Sequence, residues 1–164
     1  MTITTNTLIS KYTVGSGGVS SVTFSSIPQT YTDLKLVVSA RTDRSLRTDG
    51  FLVFYNNTTD TTASSTQLYG NGTSAISNRT TGNGFVWANY ISDAGDTINT
   101  FGSGEVYIPN YTSSINKSIS TEQVNETNGS NYFLNMIGSQ YATTSPITQI
   151  QATLPYYGAS FVPN

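Results

Sequence analysis

Asp33-Leu34-Lys35-Leu36-Val37-Val38-Ser39-Ala40-Arg41 decides the fold class. Leu34, Leu36, Val38 and Ala40 fall on one side of an extended chain, with Lys35, Ser39 and Arg41 on the other. That period of two is the mark of a half-buried β-strand, because successive side chains of a strand point to opposite faces. Val37 interrupts the polar side and predicts a central strand covered in part on both faces.

Similar runs recur on both sides of this segment. Toward the amino terminus, Thr7–Val14 and Val19–Ser25 read as strands joined by a hairpin turn at Gly15-Ser16-Gly17-Gly18. Pro28 cannot donate to a ladder, so 27–31 is a connection. Toward the carboxyl terminus, Phe51–Tyr55 places Phe51, Val53 and Tyr55 in phase, and 56–65 is a polar loop. Gln67–Tyr69 is a weaker strand. The stretch 70–84 is polar without periodicity and reads as a long loop of the kind that carries function or mobility. Further strands are expected over 85–90, 105–109, 117–124, 132–137, 147–154 and 156–162, with a turn region at 125–131. No segment shows the 3.6 period of a helix, and no linker or repeat interrupts the chain. Residues 1–164 therefore read as one domain: all-β, a two-sheet antiparallel β-sandwich, jelly-roll-like, with about nine or ten strands.

Composition narrows the chemistry. Only 10% of the 164 residues are charged, and the formal net charge is −2. Typical domains carry about 25% charged residues. Neither value suits a polyanion-binding protein, so no nucleic-acid partner is expected. No apolar run reaches the length of a membrane span, and residues 1–10 lack the pattern of a signal peptide. With no His and no Cys, nucleophile–His triads and the usual zinc sites are excluded. The acidic residues, among them Asp33, Asp49 and Asp93 beside strand ends, read as turn formers and surface charges rather than a hydrolase pair. Asp93-Ala94-Gly95-Asp96 lacks the alternating oxygens of a calcium loop and reads as a turn. No enzyme activity, cofactor or metal is expected.

Two groups of residues could carry binding. Arg41-Thr42-Asp43-Arg44-Ser45-Leu46-Arg47-Thr48-Asp49 holds three of the seven basic residues. The planar forks of Arg41, Arg44 and Arg47 suit carboxylates across an interface, or internal Arg–Asp pairs in a solvated loop. Trp87, the only Trp, and tyrosines such as Tyr111 belong either in a sandwich core or in a protein- or sugar-binding surface. The low charge itself favours docking, since neutral polar surface is easier to desolvate than charged surface.

Val22-Thr23-Phe24-Ser25-Ser26-Ile27-Pro28-Gln29-Thr30-Tyr31-Thr32-Asp33-Leu34, then Val38-Ser39-Ala40-Arg41, Val106-Tyr107-Ile108-Pro109-Asn110-Tyr111 and Asn116-Lys117-Ser118, resemble a family of short structural proteins of tailed phages, common in marine and cyanobacterial viruses. The resemblance runs in order over most of the chain. It departs at the end, where Tyr156-Tyr157-Gly158 continues to Asn164 instead of closing on a Leu-Tyr-Gly-like motif. The resemblance implies a virion component: a head decoration (cement) protein on the outer capsid surface, or a tail or fibre-tip module that binds host carbohydrate or receptor. A short chain without repeats or coiled coil favours the first. The partners implied are the major capsid protein and further copies of the chain, most simply a homotrimer by analogy with decoration proteins.

Overall fold

The structure, a computed structural model, describes residues 6–45, 50–56, 62–88, 90–129, 132–155 and 158–163. Ten strands form among them: β1 (Ser21–Phe24), β2 (Leu34–Ala40), β3 (Phe51–Tyr55), β4 (Ala63–Gly70), β5 (Ala75–Asn83), β6 (Val86–Ala88), β7 (Gly102–Ile108), β8 (Lys117–Glu126), β9 (Tyr132–Tyr141) and β10 (Ile150–Thr153). Two sheets result, with strand orders β1-β10-β3-β6 and β2-β7-β8-β9-β4-β5, and adjacent strands are antiparallel throughout.

This order explains the architecture. Set the β8–β9 hairpin aside and number the other eight strands in chain order: the sheets then read 1-8-3-6 and 2-7-4-5. That is the jelly-roll pairing, in which the chain alternates between two layers. The hairpin enters between β7 and β4 and widens one sheet to six strands against four. The core lies between the layers. Leu34 and Ala40 of β2, Phe51, Val53 and Tyr55 of β3, Val86, Val106, Ile108, Ile119 and Ile150 are all buried there. Tyr55 and Tyr141 meet with ring centroids 5.3 Å apart, and Phe51 meets Phe161 edge-on at 6.2 Å. Two glycines let strands and loops approach closely. A Cβ on Gly104 would stand 2.6 Å from the Glu122 carbonyl oxygen, and one on Gly102 would stand 2.7 Å from the Ile91 Cα.

Several expectations need correction. The phase of β2 is as read, but β2 is an edge strand and Val37 is 71% exposed. Residues 7–14 form no strand. They are exposed except for half-buried Val14, and the turn closed by Gly18 N–H to the Gly15 carbonyl at 3.0 Å joins them to β1 rather than making a hairpin. The supposed loop 70–84 contains β5. A tight turn at 71–74, in which the Asn71 side-chain oxygen accepts from the Thr73 and Ser74 amides, returns the chain alongside β4. β5 showed no alternation because it overhangs at the sheet edge, where nearly all its side chains are exposed on both faces. At the carboxyl end only Phe161 makes isolated bridges, to Val19 and Thr42, and residues 156–157 lie outside the described residues.

Candidate functional site

Sheet faces that look away from the core are the surfaces able to carry binding. On the four-stranded sheet, alternation turns Leu52 and Phe54 of β3 and Trp87 of β6 outward, and Leu52 is in register with Trp87. Phe85 lies between Phe54 and Trp87, with ring centroids 5.6 and 5.2 Å away. All three aromatics are half-buried. Their rings are crossed, at 58° and 87°, which is the edge-to-face arrangement of packed aromatics and not a coplanar row. Toward β1 the same face turns polar: Gln151 lies opposite Phe54 and donates to the Thr23 hydroxyl at 3.1 Å.

The outer face of the six-stranded sheet is built differently. In one cross-strand row stand Ser103, Val124, Leu134, Gly70 and Ala75. In the next stand Val37, Glu105, Glu122, Met136, Leu68 and Ser77. Gly70 has no side chain to fill its place, so Leu68, Tyr69, Ala75, Leu134 and Met136 surround a shallow apolar depression of about 160 Å³. Leu134 is 59% and Met136 52% exposed. Beside this apolar block, Glu105 and Glu122 stand directly opposite each other. Lys35 holds Glu105 with both carboxylate oxygens at 2.9 Å, whereas Glu122 has no ion-pair or hydrogen-bond partner for its side chain among the described residues. The two carboxylates share an outer sheet face and do not face each other across a cleft.

The inward side of the same hairpin is polar toward its tip, beyond the buried Ile119 and Ile137. Thr121, Gln123, Asn125 and Asn135 are buried between the layers, and Asn135 is 0% exposed. The Asn135 amide and the Gln123 carbonyl oxygen find no hydrogen-bond partner among the described residues. Amides inside with Leu and Met outside is the reverse of what folding alone favours.

The residues singled out from sequence fall in separate places. Arg41 follows β2, and its guanidinium donates to the backbone carbonyls of Thr97 (2.9 Å), Thr100 (3.0 Å) and Asp96 (3.1 Å). It fastens the 96–100 loop and leaves little of its fork for a partner. Arg44 is half-buried, and its carbonyl accepts from the Ala94 amide at 2.6 Å. Arg47 lies outside the described residues. Tyr111 is fully buried and its hydroxyl donates to the Pro28 carbonyl, so it is a core residue and not a contact for a partner. Of the four that are described, Trp87 alone sits on an outward sheet face. Asp93 and Asp96 form a buried turn in which Asp96 accepts from the Asp93 amide (2.9 Å) and Asp93 from the Gly95 amide (2.7 Å). Among the described residues no three acidic side chains converge.

Sequence reading missed Leu68, Glu122, Val124, Leu134 and Met136. The signal was present in Tyr132-Phe133-Leu134-Asn135-Met136-Ile137, where apolar residues occupy both phases of a strand. That pattern means apolar residues on both faces, whether or not both are covered. No family model, curated protein or solved structure matches this chain.

Proposed function

We propose that the chain is a non-enzymatic structural protein of a phage virion, a decoration protein that binds the outer surface of the head shell and stabilises it. One observation carries the surface-docking part of this reading: apolar side chains stand on the outer faces of both sheets, half-buried Phe54, Phe85 and Trp87 on one and exposed Leu68, Leu134 and Met136 on the other. A protein working free in solution gains nothing from two apolar outer faces, and large exposed apolar patches mark interaction sites. A module held between a shell and neighbouring copies needs both. The low charge fits the same role, because little solvated charge must be stripped on docking. The phage setting rests on the family resemblance of the segments around Pro28 and Pro109. On this reading the four-stranded face meets the shell through Phe54, Phe85 and Trp87 toward its β6 edge, and the six-stranded face meets further copies.

The test uses particles of the parent phage with and without the chain. Particles lacking it release their genome at lower temperature, and adding back the purified chain restores resistance. Equal heat resistance in both contradicts the cementing role. The partly exposed position of Trp87 favours one other reading, a tail or fibre-tip module that binds carbohydrate. Its crossed neighbours count against it, since sugar rings stack on open, coplanar aromatic faces. Glycan-array binding that disappears in Trp87→Ala would establish that alternative.

A further inference from the structure

Residues 6–14, Asn-Thr-Leu-Ile-Ser-Lys-Tyr-Thr-Val, have the composition of a strand yet pair with no strand among the described residues. Leu8 is 78% exposed, Tyr12 49% and Ile9 38%. Only Val14, at the root, packs against the core. Residues 6–13 make no hydrogen bond to any described residue, and Lys11 has no ion-pair partner among them. The arm therefore carries three apolar side chains and one lysine into solvent.

The outer face of the six-stranded sheet offers the complement. It has an apolar depression at Gly70 walled by Leu68, Leu134 and Met136, and beside it the unpaired carboxylate of Glu122. Lys35 neutralises the facing Glu105 and leaves Glu122 as the charge a cation would answer. Lengths agree as well. Eight extended residues reach about 26 Å, whereas the patch from β8 to β5 is three strand spacings wide, about 14 Å.

Within one molecule the arm does not cover the patch, since Leu8 stays 78% and Leu134 59% exposed. The arm leaves beside β1, which is one edge of its sheet, while β6 at the other edge packs over β4 and β9. A second copy presents the patch without that separation. We propose that the 6–13 arm of one copy lies across the outer face of the six-stranded sheet of a second copy, its apolar side chains over the Gly70 depression and Lys11 paired with Glu122. Every arm is satisfied either by reciprocal exchange between two copies about a two-fold axis or by a closed ring of three or more copies. This rests on the self-association in the proposed function and is independent of shell binding.

Light scattering coupled to gel filtration tests it on the full chain and on Lys11→Glu, Glu122→Lys, their combination, and Leu8→Asp with Ile9→Asp. The wild type is expected at a small whole multiple of 17.6 kDa. Each single charge reversal weakens assembly at least about tenfold, and the double reversal recovers it to within about threefold. The Leu8/Ile9 variant runs as one chain with an unchanged far-ultraviolet spectrum, because the arm supports no part of its own domain. A single-chain wild type overturns both self-association and the arm contact. An oligomer indifferent to the arm changes overturns the arm contact and leaves self-association standing. Loss in both single reversals without recovery in the double overturns the Lys11–Glu122 pairing.

Discussion

Arg41→Met separates the two roles an exposed-looking arginine can have. The wild-type guanidinium donates to three backbone carbonyls, those of Asp96, Thr97 and Thr100, at 2.9 to 3.1 Å. Methionine keeps most of the apolar stem and removes every donor. A hydrogen bond from a charged group is worth about 1.5–3 kcal/mol. These carbonyls are only partly buried and regain water when released, so the three together contribute about 2–3 kcal/mol rather than the full sum. For a chain of 164 residues such a loss lowers Tm by roughly 5–10 °C. Arg41→Lys keeps the charge without the fork and loses roughly half as much, about 1–1.5 kcal/mol. Denaturant melts give the stability difference, and amide hydrogen exchange over 96–100 gives its location, with faster exchange confined to that loop. If Arg41→Met leaves stability within about 0.5 kcal/mol and instead abolishes particle binding, the guanidinium serves a partner and the structural reasoning is wrong.

Three further predictions concern the fold. Gly104→Ala forces its Cβ against the Glu122 carbonyl oxygen, which no side-chain rotation relieves; it is expected to cost about 1–3 kcal/mol in a denaturant melt, while Gly138→Ala, whose Cβ meets nothing within 4 Å, serves as a near-neutral control. Tyr111→Phe removes the donor to the Pro28 carbonyl in a fully buried setting and is expected to cost about 1–2 kcal/mol with no effect on assembly mass. Burial pushes the Tyr90 phenol up to about 12 and raises Tyr55 further still. The folded state thus holds protons that the unfolded state releases above about pH 10. Stability from these groups is complete below that pH and falls as pH rises through the folded values, so melts in alkaline buffer should show a steady loss beginning near pH 10, paralleled by delayed phenolate absorbance.

Strand phase was the readable part of this sequence. In β2, β7 and β10 the alternation of large apolar with polar residues named the inward faces correctly, and in β3, apolar throughout, the phase of Phe51, Val53 and Tyr55 did so. Position within the sheet was not readable, because Val37 on an open edge and a valine on a covered face look alike in a string of letters. β5 was invisible for a related reason: polar on both sides and covered on neither, it carries no hydrophobic period at all. The Thr7–Val14 segment failed in the opposite sense, since strand propensity does not supply a partner strand. The candidate surfaces were hidden where β8 and β9 invert the usual rule. Asn135 and Gln123 point inward while Leu134, Met136 and Val124 point outward, so a reader who assumes amides outside assigns the faces backwards. Arg41 and Tyr111 were sensible choices by residue type, but burial and backbone partners, which come from tertiary contacts, decided their roles.

A reconstruction of the parent virion at a resolution that shows strands tests the central claim most directly. Its prediction is that the two-layer domain, four strands against six, occupies repeated positions on the outer surface of the head. There its four-stranded face lies toward the shell and its six-stranded face toward neighbouring copies. Density for this domain at the tail or fibre tip, with the head surface bare, would contradict the account.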